Sequence, residues 1–299
     1  MKLRDHAEDW LEDYFKENGI TKAVFEARGK RNDIVLNAML SDVLGDENVY
    51  GITFEEDEQK RLDVKKKTGL ANMYWIPFSH AERAAASALK QLRPLESAEE
   101  RNESLYSTRR KLCIDFSARQ KMSLLYLAAE ELGAAVVSTA SISESYIGKT
   151  SLWGELACDC APFRCFTGQD IAELGRQLGL PEDLLKEDPF DLEAEEGITW
   201  KQVDQIVKLE RPLDNEGKYD VVVDKKVLQM AKERGKKLLW MKVPNPGAWL
   251  SQDKARLLLD ISEKETEEFG KSLWERLKSG VKNMFKSLEV GAEDDDDDE

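Results

Sequence analysis

The sequence predicts an α/β fold in which a doubly wound, mostly parallel sheet is flanked by helices. Helical and strand-like segments alternate through the first eighty residues, which is typical of βαβ units. Another helix followed by an apolar strand is predicted at 117–139. The chain of 299 residues is 41% hydrophobic, which is enough apolar material for a core. Its length fits about two domains or one large α/β domain.

The amino-terminal part predicts two helices and two strands. A helix at 5–17 places Trp10, Leu11, Tyr14 and Phe15 on one face, and Asn18-Gly19 ends it. The elements expected next are a strand at 22–27, a helix at 33–44, a turn at 45–48 and a strand at 49–54.

The middle of the chain continues the alternation less regularly. The expected order is a charged helix at 55–68, a strand at 73–77, an Ala-rich helix at 80–92, a loop at 93–110, a helix at 117–132 and a buried strand at 134–139. An irregular stretch at 143–166 precedes a helix at 170–178. A further helix is expected to start at Leu180-Pro181-Glu182.

The last fifty residues differ in kind from the rest. Apolar residues recur three or four positions apart between 263 and 288, which predicts an amphipathic helix. They are Phe269, Leu273, Trp274, Leu277, Val281, Met284, Phe285 and Leu288. Packing on the parent domain, on a symmetry mate, or in the groove of a partner protein would each bury this stripe. We expect an α/β domain at 1–250, a helical extension at 251–289 and an unfolded acidic tail at 290–299.

Charge and composition exclude several classes of protein. The formal net charge is −15, of which the run 293–299 supplies −7, leaving −8 for the remainder. Affinity for nucleic acid comes from clustered cations, so direct nucleic-acid binding is disfavoured. No apolar run approaches the ~18 residues of a membrane span. The amino terminus has no signal-peptide pattern, so we expect a cytoplasmic protein.

The cysteines raise the question of a metal site. Three of the four lie in the run CDCAPFRC, at Cys158, Cys160 and Cys165. The spacing C-x-C-x4-C differs from the paired C-x2-C of structural zinc sites, and the two histidines are distant in sequence. Packed thiols in a reducing compartment are favoured over zinc.

An ordered set of short motifs resembles ammonia-dependent NAD synthetase, an ATP pyrophosphatase with an adenine-nucleotide α-hydrolase-like fold. The segment 117–122, SARQKM, is similar to the family's N-x-x-A-R-x-R-M. The segment 136–144, VVSTASISE, is similar to V-V-G-T-x-x-x-x-E, and 148–163 follows G-x-x-T-K-Y-G-D-x-x-x-D-x-x-P-L. Further matches are DEQ at 57–59, LGLPE at 178–182, GITW with a following VD at 197–204, and a looser closing segment at 235–249.

The resemblance implies a reaction and a set of site residues. In that family ATP adenylates the carboxylate of deamido-NAD, pyrophosphate leaves, and ammonia attacks the acyl-adenylate, with Mg²⁺ assisting. Glu144 matches the magnesium-binding glutamate and Asp159 a pyridine-nucleotide-side aspartate. Arg119 and Thr139 match positions near the nucleotide. Each of these residues also has a structural interpretation, as a helix-start charge, a strand-end hydroxyl or a salt-bridge partner. The resemblance further implies a homodimer.

The phosphate-binding loop departs from the family pattern. The family's S-G-G-x-D-S, whose glycine N–H groups wrap pyrophosphate, is replaced by RGKRND at 28–33. Gly29 is retained, while Arg28 and Lys30 bring bulk and charge where small residues are needed. These side chains offer an alternative means of holding phosphate, or form a solvated basic loop. The family's two lysines fall on Leu152 and near Gly168, and its Ser or Thr after position 186 is not evident.

Three functions remain open on this sequence. The first is a catalytically degenerate scaffold, or pseudoenzyme, that binds a nucleotide or a protein, with the helix 263–288 and acidic tail as a possible partner surface. The second is an active, divergent ammonia-dependent NAD synthetase that uses ATP, Mg²⁺ and deamido-NAD. The third is an accessory of nucleic-acid transactions whose acidic tail captures basic partners.

Overall fold

The structure is a computed structural model, and it describes residues 3–90, 104–186, 192–210, 213–239 and 243–247. These residues belong to one compact unit, Met1–Ala255. Its centre is a four-stranded sheet with strands β1 (Ala23–Glu26), β2 (Val49–Thr53), β3 (Asn72–Trp75) and β4 (Ala135–Val136). All pairings are parallel and the strand order is β3-β2-β1-β4. The predicted parallel α/β fold is thereby confirmed.

Eleven α-helices are found among the described residues. They are α1 (Leu3–Asn18), α2 (Arg31–Leu44), α3 (Glu58–Thr68), α4 (Ser79–Lys90), α5 (Ser104–Leu132), α6 (Ile142–Tyr146), α7 (Gly168–Gln177), α8 (Glu193–Glu196), α9 (Trp200–Val207), α10 (Val221–Met230) and α11 (Lys236–Leu239). A π-helical turn, Ala231–Gly235, joins α10 to α11, and short 3-10 turns occur at Asp46–Asn48 and Pro162–Cys165.

Strand β1 is buried on both faces because apolar side chains point in both directions. Phe25 packs in a cluster that includes residues of α1, α2 and α7, while Val24 packs in a second cluster that includes Met122 and Leu125 of α5. Continuous apolar strands of this kind are typical of parallel sheets covered by helices on both sides. The substitution Phe25→Ala would lower the free energy of unfolding by about 3–5 kcal/mol. This double burial fixes the carboxyl end of β1, and therefore the loop that follows it.

Four predicted elements differ from the structure. The expected loop at 93–110 is helical from Ser104, so α5 begins 13 residues before the predicted start at Ser117. No Gly or Pro interrupts 104–132, so nothing in the local sequence prevents the helix from extending. The stretch 143–166 is not wholly irregular, since it contains part of α6 and a 3-10 turn.

The helix expected at Leu180-Pro181-Glu182 is a turn over the residues described there. Leu184 N donates to Pro181 O at 3.0 Å and Leu185 N to Glu182 O at 3.3 Å, which are turn-like i to i+3 bonds. Leu185 packs against Gly175, where an added Cβ would lie 2.4 Å from Leu185 Cδ2. The burial of Leu185 against α7 therefore stabilises a turn here, although the local sequence favours the start of a helix.

The predicted strand at 134–139 is also shorter than expected. Regular pairing covers only Ala135–Val136, and Val137 forms an isolated parallel bridge with Cys160. The amphipathic stripe at 263–288, the acidic tail and positions 240–242 and 248–249 of the closing segment lie outside the described residues. No helix in the described ranges is long and apolar enough to cross a membrane.

The cysteines of CDCAPFRC are packed thiols. Cys160 and Cys165 are fully buried and Cys158 is half-buried, and none of the three forms a disulfide. Burial raises the pKa of the Cys158 thiol to about 12, and the neighbouring Asp159 carboxylate adds to the rise. The pKa of Cys160 is raised for the same reason. These thiols therefore stay protonated, and unreactive, at neutral pH.

Candidate functional site at the carboxyl end of the sheet

The loop between β1 and α2 is closed by the carboxylate of Asp33. Its Oδ2 accepts the backbone N–H of Arg28 at 2.8 Å and that of Lys30 at 3.1 Å. Gly29 lies between them with φ of 72°, and its Cα faces Val64 of α3 so closely that an added Cβ would lie 3.2 Å away. The positive φ therefore favours glycine at this position, and the tight contact with Val64 adds to the preference.

This arrangement is an anion-binding nest that holds an anion of its own chain. Backbone N–H groups that converge around a left-handed residue form a concavity for a carboxylate or a phosphate. Asp33 also stands in the first turn of α2, where the helix dipole favours negative charge. Its side chain is fully buried. Two backbone N–H groups of this loop are thus already bonded to a carboxylate of the chain itself.

Asp33 is paired with the guanidinium of Arg28. Arg28 Nη2 lies 3.6 Å from Asp33 Oδ1 and donates to Thr139 Oγ1 at 2.8 Å. Burial raises the pKa of Asp33, and the charge of Arg28 and the two N–H groups oppose this rise without cancelling it. Arg28 Nε and Asp33 Oδ1 are buried without a hydrogen-bond partner. The pair is consequently held by charge more than by ideal geometry.

Arg28 is one cation surrounded by several carboxylates. Burial lowers the pKa of Arg28, but the carboxylates of Asp33, Glu26, Glu155 and Glu144 together raise the pKa above its ordinary value. The charge of Arg28 is therefore shared among four carboxylates. Lys121 adds a second cation, at 3.2 Å from Glu26.

Asn32 links the loop to the start of α6. Its Nδ2 donates to Thr139 O at 3.0 Å and to Glu144 Oε2 at 3.2 Å. The same Glu144 oxygen accepts the Ser141 N–H at 2.8 Å and the Ser141 hydroxyl at 2.7 Å. Ser141 and Glu144 form a capping box, which is the reason this short helix begins here.

The residues around Glu144 do not fit the Mg²⁺ site that the resemblance implies. Mg²⁺ requires oxygen ligands in octahedral geometry, commonly one or two carboxylates and the substrate phosphates. Glu144 Oε2 is already used by three donor groups, and Asn32 directs its amide N–H₂ toward it where the family has an aspartate. In the described part of the chain, no group of three or more His, Cys, Asp or Glu side chains gathers as a metal-ligand set.

A cavity of about 520 Å³ opens beside this loop. Its size is that of a small-molecule site. Residues of α5 and of the segment 149–155 contribute most of its lining. The lining side chains are Glu26, Arg28, Glu82, Ser117, Ala118, Lys121, Met122, Leu125, Lys149, Ser151 and Glu155.

The structure brings some of the sequence-predicted residues together and leaves others apart. Arg28, Gly29, Lys30, Thr139 and Glu144 lie in or beside the loop. Only Arg28 of these lines the cavity. The other two predicted residues do not line it.

Arg119 and Asp159 make contacts within the fold instead. Arg119 is exposed and donates from Nε to Leu152 O at 2.9 Å. Asp159 accepts the Val136 N–H at 2.8 Å and the Tyr126 hydroxyl at 3.0 Å, which holds its segment against β4 and α5. Both carboxylate oxygens of Asp159 are thus engaged in the fold.

Sequence reasoning missed the residues that define the site most directly. Asp33 was recognised only as part of the altered loop, although an acidic residue in the first turn of a helix is a common N-terminal anchor. Lys121 and Glu155 fall inside matched motifs but were assigned no role. Glu26 had no signal beyond its position at the end of a buried strand.

Comparison with known proteins assigns the family. A family model described as NAD synthase matches residues 3–239. The NH₃-dependent NAD⁺ synthetase of Mycoplasma genitalium is 25% identical over 233 residues, which cover 76% of this chain and 90% of that protein. The corresponding protein of Fusobacterium nucleatum is 26% identical over 206 residues, covering 67% and 76%.

Solved structures show the same fold. NMN synthetase from Francisella tularensis superposes with a TM-score of 0.62 at 16% identity, covering 82% of this chain and 99% of that one. NH₃-dependent NAD synthetase from Campylobacter jejuni, in complex with the nitrate ion, gives a TM-score of 0.56 at 21% identity, covering 79% and 94%. With the family model matching most of its length, and with the sheet and loop in place, the chain belongs to the NAD synthase family.

Proposed function

We propose that this chain is a catalytically degenerate member of the NAD synthase family, one that binds a ligand in its cavity without adenylating it. The observation that carries this proposal is the Asp33 carboxylate in the β1–α2 loop. The family pattern assigns pyrophosphate to the N–H groups of its two glycines, which fall on Gly29 and Lys30. Here the N–H of Lys30, together with that of Arg28 at the start of the loop, bonds to Asp33.

Displacing Asp33 from the loop would be costly. Hydrogen bonds to a charged group contribute about 1.5–3 kcal/mol each, and a buried carboxylate that loses them must be hydrated again or left unpaired. An entering phosphate would also meet the Asp33 charge itself at short range. The loop is therefore complete without a ligand.

Two further features weaken adenylation chemistry. The lysine of the family's T-K-Y-G-D is Leu152, and the residues at Glu144 do not fit Mg²⁺. Loss of one donor that stabilises developing charge typically lowers the rate by ~10²–10³. Several such losses are not additive, but together they oppose an ordinary catalytic rate.

The test is pyrophosphate release from ATP, Mg²⁺ and ammonium, with and without deamido-NAD. We expect no release that depends on deamido-NAD, and no NAD. A variant that restores the family loop (Arg28→Ser, Lys30→Gly, Asn32→Asp and Asp33→Ser together) should bind pyrophosphate, as measured by calorimetry. Release by the unaltered protein with NAD formed in step would refute the proposal.

An active, divergent NAD synthetase that uses ATP, Mg²⁺, deamido-NAD and ammonia is the second candidate. The observation in its favour is that Arg28, Thr139 and Glu144 remain gathered beside a cavity of about 520 Å³. In that case the Arg28 side chain would take the place of the lost backbone contacts. Arg28→Ala alone would then abolish the release described above.

We also propose that the chain is a homodimer and that 263–288, with the acidic tail, serves a protein partner. Light scattering coupled to size-exclusion chromatography tests the first statement. Capture of basic proteins by the full chain and by a chain lacking 289–299, at two salt concentrations, tests the second. Equal capture by both chains would refute a role for the acidic tail in partner binding, and would therefore also refute the accessory role in nucleic-acid transactions.

A further inference from the structure

The cavity beside the loop is lined by apolar side chains of α5 and by charged side chains. Ala118, Met122 and Leu125 lie on one face of α5, spaced three or four residues apart, and form the apolar part of the lining. Charged side chains of β1, α4 and the segment 149–155 also line the cavity, namely Glu26, Glu82, Lys149 and Glu155. A ligand that fills this space therefore needs an apolar body as well as a polar group.

Every cation that lines the cavity already has an anionic partner. Lys121 Nζ lies 3.2 Å from Glu26 Oε1, and Lys149 Nζ lies 2.5 Å from Glu195 Oε2, which is outside the cavity. Arg28 is paired with Asp33, also outside the lining. No lining cation in the described structure is left to attract an anionic ligand.

Two lining carboxylates, by contrast, receive hydrogen bonds only from neutral groups among the described residues. Glu82 Oε1 accepts the Ser117 hydroxyl at 3.1 Å. Glu155 Oε2 accepts the Ser151 N–H at 2.9 Å. The charge of Arg28, which acts on Glu155, is shared with three other carboxylates. The lining charges that have no opposite charge bonded to them are therefore the carboxylates of Glu82 and Glu155.

Glu155 carries the larger electrostatic cost of the two. Its burial raises the pKa of the carboxyl group, because the charged form loses water without gaining a partner cation; the Ser151 N–H and the charge of Arg28 offset only part of this. A ligand cation placed beside Glu155 would supply the missing partner. A polyphosphate placed there would add to the repulsion.

We propose that the cavity binds a small organic cation with an apolar body, such as an aromatic amine or amidine, with Glu155 and Glu82 as its counter-ions. This inference rests on the proposed function and specifies the ligand class of the same cavity. The apolar side chains of α5 hold the body of the ligand, and its cationic group pairs with Glu155 and Glu82.

Benzamidine is a suitable probe because benzamide is its neutral isostere and benzoate its anionic one. We expect benzamidine to bind to the full chain in calorimetry, at least tenfold more tightly than benzamide, and benzoate to bind more weakly still. Glu155→Gln should weaken benzamidine binding about tenfold. Glu12→Gln, an exposed carboxylate on α1 outside the cavity, should leave it unchanged.

A second measurement uses the unaltered protein alone. Benzamidine binding should strengthen as pH rises through the titration of Glu155, since the ionised carboxylate is the form that pairs with it, and Glu155→Gln should remove that dependence. Equal binding of benzamidine and benzamide, preference for benzoate, or no binding of benzamidine at all would each overturn the inference. Because pyrophosphate release is measured separately, these outcomes leave the proposed loss of catalysis untouched.

Discussion

The carboxylate of Asp33 accepts the backbone N–H of Arg28 at 2.8 Å, and the guanidinium of Arg28 returns to within 3.6 Å of the same carboxylate. The two residues thus pair through both backbone and side chain across a six-residue loop. In a family whose loop binds pyrophosphate through backbone N–H groups, this pairing supplies the anion internally.

Replacing Asp33 by serine should destabilise the protein and open the loop to anions. The change leaves Arg28 and two backbone N–H groups without their acceptor, so the free energy of unfolding should fall by about 2–4 kcal/mol. Adding pyrophosphate should restore part of this loss in urea titrations of the variant, and have no effect on the unaltered chain. Asp63→Ala, which removes an exposed pair with Lys67, is the control and should change stability by less than about 0.5 kcal/mol.

Glu155→Gln should change how stability depends on pH. The folded-state pKa of Glu155 is raised above its ordinary value of 4.5, so the folded state holds this proton over a range where the unfolded state has released it. Stability contributed by that proton is lost as pH rises through the folded pKa. The variant should therefore gain stability relative to the unaltered chain as pH rises above 4.5. A constant difference across pH 4–8 would contradict this expectation.

Cys158 should react slowly with thiol reagents in the folded protein. A pKa of about 12, against an ordinary value of 9.0, makes the thiolate fraction about a thousandfold smaller at neutral pH. Labelling at pH 8, read by peptide mass spectrometry so that each cysteine is followed separately, should be slow until denaturant is added. Rapid native labelling of the peptide with Cys158 would count against the described packing.

Gly235→Ala should be among the most damaging small substitutions in the chain. A Cβ at this position would lie 1.6 Å from Tyr146 O, so either the π-helical turn or α6 would have to move. Overpacking of this kind costs about 1–3 kcal/mol or more. Gly179→Ala is the control, because φ at Gly179 is 76° but no atom lies within 4 Å of the added Cβ. It measures the conformational cost without a steric clash, and the free energy of unfolding should fall by only about 1 kcal/mol.

The elements that were predictable from sequence are those whose pattern is local. Strands β1 and β2 are short apolar runs bounded by Gly and Asn, and α1 has a clear apolar face, so each was placed within a few residues. The start of α5 and the turn at Leu180 were misplaced because tertiary packing, such as Leu185 against Gly175, decides them. Periodicity carries no information of that kind.

The site was predictable only in part for a related reason. The motifs located Arg28, Thr139 and Glu144 at one edge of the sheet, where the structure finds them. They did not show that Asp33 turns inward rather than toward solvent, because a carboxylate in the first helical turn is compatible with either orientation. The pairing of Lys121 with Glu26 joins residues 95 positions apart, and no sequence spacing reveals it.

A loop that carries its own anion needs no external phosphate to complete it. When a phosphate completes a binding loop, the folded population rises and falls with the concentration of that phosphate. Here the carboxylate of Asp33 is covalently part of the chain, so it occupies the loop whatever the concentration of free phosphate. The resistance of this protein to proteolysis, and hence its abundance in a cell, should therefore stay constant when nucleotide pools are depleted.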